Sequence, residues 1–364
     1  MTIASLIAVF ACSPLQGQSN GVPKPILDKL GNGVNITRWL GYVKPDDHAY
    51  FKSYMKPADY TNFKRLGVTF VRLCLSPEVI YDNGHIRQSN IAAVDSALKD
   101  LTDHGLMVIF DLHDNGQLKL DQPDHDNGGF IAFWQDVARH YKGKFEKSVV
   151  FELLNEPIFQ KNPEVWYALQ LKAVDAIRAI DPSRTILVAS TSWNGIDTMV
   201  KMAPLPERNL IYSAHCYDPF FFTHQGASWV GPYPKDMKVV PFPSSPEAVD
   251  AILEKNDAQF RPALQDYGKQ HYDAAYLRGR VKLIADFGRK NHVPVVLGEF
   301  GAYPPVSPPE SRANWFKAMA AALKSEHVPY AIWGYDDALG LGRKLNPDGS
   351  IWLDPLVVKS FYGR

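Results

Sequence analysis

The chain of 364 residues has little cysteine, no net charge and no long apolar run, and each shortage narrows what it can be. Of three cysteines, Cys12 would be lost with any cleaved leader, and Cys74 and Cys216 fall in or at the end of apolar runs, where a buried free thiol is the expected state. Lys+Arg and Asp+Glu both number 39, which argues against a nucleic-acid footprint and against a polybasic membrane anchor. The apolar stretch 3–12 is too short to span a bilayer. Followed by the polar, turn-prone residues 13–19, it has the form of a secretory signal, although no basic residue precedes it. Residues 1–20 are therefore expected to be a leader or a disordered N-terminal arm, and 21–364 one secreted or periplasmic domain of bacterial type, monomeric and without a membrane span. A Gly-rich phosphate loop is missing before every predicted helix, and no linker or second module interrupts the chain.

What is present is an ordinary globular balance, 46% hydrophobic and 21% charged, with 12% aromatic residues, many of them in predicted loops. Short apolar runs recur at 33–36, 68–73, 106–112, 149–154, 185–189, 210–214, 295–297 and 330–333. Amphipathic helical stretches separate them. Residues 90–102 place Ile91, Val94, Leu98 and Leu101 on one face, and 164–180 and 312–323 supply two more. Eight strands wrapped by helices predict an α/β fold, a (β/α)8 TIM barrel with a single core. A doubly wound open sheet is the alternative, disfavoured because polar residues follow nearly every run rather than one switch point. The rhythm breaks only between about 218 and 273, a Pro-rich and aromatic stretch after the sixth run. So long an insertion is expected to be functional, here as a wall of a binding cleft.

Two runs end in carboxylates: 149–154 runs into Asn155-Glu156-Pro157, and 295–297 into Gly298-Glu299. A carboxyl at the end of an apolar strand is costly to desolvate without a partner or a function. Two of them on different strands can face each other across one pocket, which is what acid/base cleavage of a glycosidic bond requires. Taken alone, Asn-Glu-Pro also fits a helix start, with Asn as cap and Pro in the first turn. Metal chemistry is not expected. Asp111, His113, Asp114 and His125 lie close in sequence, but Asn35-Ile36-Thr37 stands where barrel metallohydrolases carry a His-x-His pair.

The strand ends, taken in order, give Arg72, His113, Asn155-Glu156, His215 with Tyr217, Glu299 and Trp333. This ordered set, spanning residue 32 to the C-terminus, resembles glycoside hydrolase family 5, a family of retaining (β/α)8 glycosidases. The resemblance implies that Glu156 is the acid/base and Glu299 the nucleophile, with Arg72 and Tyr217 holding Glu299 ionised. It further implies that Asn155 meets the sugar 2-hydroxyl, that His113 and His215 hold sugar hydroxyls and carboxylates, and that Trp333 floors the central subsite. Trp39, Trp229, Phe222 and Tyr335 are further candidate platforms, and Glu152 is expected to be a paired structural carboxylate. No cofactor and no metal are implied. The segment His224-Gln225-Gly226 is similar to that of bacterial endoglucanases, so the expected activity is endo-β-1,4-glucanase on cellulose-like polysaccharide or oligosaccharide. The alternatives are an endo-β-mannanase, a mixed-linkage glucan or xyloglucan hydrolase, and a non-catalytic carbohydrate-binding barrel.

Overall fold

The computed structural model describes residues 19–122 and 127–364. The leader expectation for 1–18, Cys12 and His125 thus lie outside the described residues. Eight parallel strands close into a barrel: β1 (Asn32–Leu40), β2 (Phe70–Leu75), β3 (Met107–Leu112), β4 (Val149–Glu152), β5 (Ile186–Ala189), β6 (Leu210–His215), β7 (Val295–Glu299) and β8 (Tyr330–Ile332). Each strand pairs with its neighbours in sequence and β8 returns to β1, so there is no open edge and no switch point. That excludes the doubly wound alternative. Strands β2 to β7 are buried along their whole length, as expected of a parallel sheet covered by helices on its outer face.

Among the helices that lie between successive strands are α1 (Pro57–Leu66), α2 (Ile91–Asp103), α3 (Asn127–Tyr141), α4 (Pro163–Arg178), α5 (Ile196–Met199), α6 (Ala274–Asn291) and α7 (Pro309–Glu326). In α2, Val94, Ala97, Leu98 and Leu101 are the buried face, the stripe that the 3.6-residue period predicts. Gly67 ends α1 at φ 75°, a left-handed cap that returns the chain to the barrel with only Val68 and Thr69 before β2.

Inside the barrel, period 2 sorts residues into layers. The lower layer is apolar, with Phe70, Ile109, Val150, Leu187, Ile211 and Val296, and Ile26 of the short helix Lys24–Lys29 packs into the same cluster. Gly33 makes room for Phe70, because a Cβ there would fall 2.3 Å from that ring. One pleat further along each strand toward its C-terminal end come Asn35, Arg72, Asp111, Glu152, Ser213 and Gly298. Polar groups are thus stacked on an apolar floor, at the barrel end where (β/α)8 enzymes carry their chemistry.

The insertion after β6 differs from a plain loop. It contains the helical turns Phe220–Thr223, Pro232–Asp236 and Pro246–Asp250, and a longer helix, Arg261–Lys269. It buries Phe222, Val240, Phe242, Leu264 and Tyr267. Its aromatic density therefore supplies a core as well as a surface. Phe222, expected as a sugar platform, is fully buried against Phe242 and Trp315. His224 and Gln225 are buried too: Gln225 accepts from Val240 N at 2.8 Å and donates to the carbonyls of Phe222 and Val240. Among the described residues, no helix is long and apolar enough to cross a membrane.

Candidate active site

The site is built around one guanidinium. Arg72 is fully buried on β2, and its five donors are consumed by the layer around it. Nε and Nη2 form a fork on Glu152 at 2.6 and 2.9 Å, and Nη1 reaches Glu299 Oε1 at 2.6 Å. Nη1 also donates to Asn35 Oδ1 at 3.0 Å and Nη2 to Asn155 Oδ1 at 2.9 Å, while Asp111 Oδ2 stands 3.1 Å from Nη2. The barrel register makes these meetings possible: Asn35 pairs with Arg72, and Asp111 with Glu152.

Glu299 ends β7 beside His215, its register partner across a shift in the β6–β7 pairing. Its second oxygen accepts from the Tyr217 hydroxyl at 2.9 Å. Burial pushes this carboxyl up, while His215 and Arg72 pull it back. Both of its oxygens therefore receive donors that favour the ionised form. Glu156 is placed differently. It has φ 43°, in the left-handed region that ordinary side chains avoid, within the turn that follows β4. No helix begins there, since α4 starts at Pro163, so the helix-start reading of Asn-Glu-Pro does not hold. The side chain meets His215 Nδ1 at 2.9 Å and has no hydrogen bond to Arg72. Burial raises its pKa from 4.5 to about 7.

One oxygen from each of Glu156 and Glu299, together with a His215 nitrogen, lies within 4.8 Å of the others. Carboxyls this close suit a retaining pair, in which the two groups stand about 5–5.5 Å apart. Cys74, Asp111 and His113 form a second cluster of that size. In both clusters the Arg72 guanidinium already touches a carboxylate, Glu299 in one and Asp111 in the other, so a cation would meet a buried positive charge.

The remaining predicted residues divide. His113 is buried, with Nδ1 on Asp111 Oδ2 at 2.7 Å and Nε2 facing the Tyr42 hydroxyl at 2.9 Å. Burial lowers its pKa to about 4, so the ring is neutral. Trp333 stacks on it at 5.2 Å and 19°, in a cluster with Cys74, Leu339, Tyr217 and Tyr303. Trp229 is 55% exposed and stands edge-on to Tyr303. Besides Phe222 and Trp333, which is only 7% exposed, two more platforms are not brought to the surface. Trp39 is buried, stacked on Tyr54 with its indole N–H given to the Phe51 carbonyl. Tyr335 is fully buried and donates to Asp59 at 2.7 Å. Their rings are spent on the packing of the β1 and β8 ends. Cys74 and Cys216 are buried free thiols, as expected.

Three further residues join the site. Asp111 holds both Arg72 and His113, and its place inside an apolar strand two residues before His113 was a usable signal. Tyr42, at φ 52°, caps His113 from the loop after β1, and nothing in its local sequence marks it. Trp193 is 49% exposed in a left-handed stretch after β5, and its backbone N–H donates to the carbonyl of Pro157, next to Glu156.

The chain matches the family model "Cellulase (glycosyl hydrolase family 5)" over residues 27–338. It is 28% identical to Endoglucanase 3 of Fibrobacter succinogenes across 90% of this chain, but spans only 55% of that protein's length. It is 25% identical to Endoglucanase C of Acetivibrio thermocellus, covering 83% of this chain and 90% of that one. Among solved structures, endoglucanase Cel5A of the hyperthermophilic Thermotoga maritima is similar with a TM-score of 0.70 at 26% identity, over 92% of this chain and 97% of its own. The same enzyme in complex with mannotriose aligns equally well, with a TM-score of 0.70.

The raised pKa of Glu156 has a consequence for stability. A carboxyl whose folded pKa lies above its unfolded value stabilises the fold below the unfolded value, and that contribution is lost as pH rises toward the folded value. For Glu156 the window runs from 4.5 to about 7. Glu156→Gln carries no such loss, so its melting temperature should gain on the wild type by a few degrees between about pH 5 and pH 8. Calorimetry at both pH values checks this, and a difference that stays constant or shrinks would remove the buried proton.

Proposed function

The chain belongs to glycosyl hydrolase family 5 and is a glycoside hydrolase, and from that membership we propose that it is a retaining endo-β-1,4-glucanase acting on cellulose-like glucan by double displacement. The observation that carries this reading is the close pair Glu156 and Glu299, one carboxyl held protonated near neutral pH and the other given two donors. In this reading Glu156 protonates the glycosidic oxygen while a Glu299 oxygen bonds to the anomeric carbon. Glu156, now ionised, then takes a proton from water as that water displaces Glu299 and restores the original configuration. Arg72 and Tyr217 hold Glu299 in place, and Asn155 and His113 are assigned to sugar hydroxyls. Glu152, in its two-bond fork with Arg72, is structural.

The names of the relatives support glucan as the substrate, and export from the cell and a monomeric state belong to the same proposal. Mannan is the second reading. It is favoured by one observation, that the similar Thermotoga maritima enzyme has been solved with mannotriose. A non-catalytic binding barrel fits poorly, since sugar binding gains nothing from two carboxyls held with different proton affinities.

Two variants separate the roles. Glu299→Gln should abolish turnover on every substrate. Glu156→Ala should lose at least about a hundredfold on cellooligosaccharides yet still be glycosylated by an activated aryl cellobioside. Azide should then release a β-glycosyl azide, because that step needs no base. An α-azide, or equal loss on both substrates, would take Glu156 out of the acid/base role. Trp229 is assigned to polymer binding through its exposed indole. Trp229→Ala should lower kcat/KM on polymer by roughly tenfold to a hundredfold and spare short activated glycosides. Equal losses with a large fall in melting temperature would make it a packing residue instead.

A further inference from the structure

The barrel interior holds two buried polar atoms that the proposed reaction leaves unused. His215 Nε2 and Ser213 Oγ are both buried, and neither has a hydrogen-bond partner among the described residues. The two residues are two apart on β6, so both side chains point inward. Both also flank Gly298 on β7: a Cβ built there would lie 2.6 Å from Ser213 Oγ and 3.1 Å from His215 Nε2. A hydroxyl and an imidazole nitrogen bordering one small space are costly when unpaired, and inexpensive once they bond to each other or share a water.

The other ring nitrogen decides the direction of that bond. Nδ1 faces Glu156 Oε1 at 2.9 Å and Glu299 Oε2 at 3.5 Å. A hydrogen at Nδ1 is attracted by both carboxyl groups, whereas a lone pair there would be repelled by the ionised one. Burial lowers the His215 pKa to about 4, with Arg72 and His113 acting in the same sense and Glu299 and Glu152 opposing, so the ring is neutral and carries one hydrogen. Nε2 then presents a lone pair to the space beside Ser213.

We infer that Ser213 is a positioning residue whose hydroxyl donates to His215 Nε2, directly or through one water, and so holds the imidazole hydrogen on Nδ1. The inference rests on the reading of Glu156 as the acid. With Nδ1–H given to Glu156 Oε1, the acidic hydrogen of Glu156 is left on Oε2, free to reach the leaving group. In the opposite tautomer Nδ1 would accept, and that hydrogen would be drawn into an Oε1–H···Nδ1 bond. During cleavage the Oε2 hydrogen passes to the glycosidic oxygen, which keeps the electron pair of the broken C–O bond while a Glu299 oxygen bonds to the anomeric carbon. The glycine before Glu299 acquires a reason here. Any side chain at 298 would enter the space through which Ser213 and His215 communicate.

Ser213→Ala should lower kcat/KM on cellotetraose by about tenfold while staying within about twofold on 2,4-dinitrophenyl cellobioside, whose leaving group needs no proton. The 15N shifts of His215 should report the hydrogen on Nδ1 in the wild type and a mixture of tautomers in the variant. Equal losses on the two substrates, or a wild-type hydrogen on Nε2, would overturn the inference. Glu156→Ala measured alongside keeps the two ideas apart. If it loses both substrates equally, the acid reading falls and takes this inference with it. If it spares the activated substrate and Ser213→Ala does not, the inference alone fails.

Discussion

One buried guanidinium shared among too many carboxyls is the constraint on which this site depends. Arg72 touches Asp111, Glu152 and Glu299, and Glu156 lies just beyond its reach. A single positive charge cannot offset four negative ones, three of them buried and that of Glu156 half-buried, so part of the cluster must keep its protons. Burial pushes all four carboxyls up, Asp111 to about 6 and Glu156 to about 7, and Arg72 pulls each of them back. Its fork is shared unequally. Glu152 takes two bonds and Glu299 takes one, reinforced by Tyr217, whereas Glu156 has only the neutral His215. The carboxyl raised to about 7 is the one that Arg72 does not touch.

The barrel delivers this arrangement through its register. Phe70, Arg72 and Cys74 alternate inward along β2, so an apolar plug, a cation and a thiol follow one another toward the open end. The apolar layer at Phe70, Ile109 and Val150 keeps water from beneath, and without it the charges above would be screened and their proton affinities would converge. Stability and chemistry meet at the same residues. The network that costs desolvation also fixes the rotamers of Glu299 and Asn155, which loops alone would leave mobile.

Much of this was legible in the sequence, because a parallel strand buried on both faces reads as an unbroken apolar run. All eight runs are strands, displaced by a few residues at most, as at β1, which continues to Leu40. The residues that close those runs were legible for the same reason: a charge after Val-Val-Leu-Gly is conspicuous. The fate of aromatic rings was not. Trp39, Phe222 and Tyr335 are buried because partners distant in sequence, Tyr54, Trp315 and Asp59, complete their surroundings. Trp193 is exposed because three successive left-handed residues turn it outward, a backbone choice that Ser-Trp-Asn does not announce. Tyr42 and Ser213 were silent for a related reason, since a hydroxyl gains its role only when the barrel closes around a histidine.

The account rests on where one proton sits, and carboxyl 13C NMR on glutamate-labelled protein measures that directly. Glu156→Gln and Glu299→Gln would assign the two signals. The arrangement around Arg72 predicts that the Glu156 signal titrates with a midpoint near 7, while the Glu299 signal stays at the position of a carboxylate through that transition. Were Glu299 to take up the proton near neutral pH and Glu156 to remain ionised, the assignment of roles built on Arg72 would be contradicted.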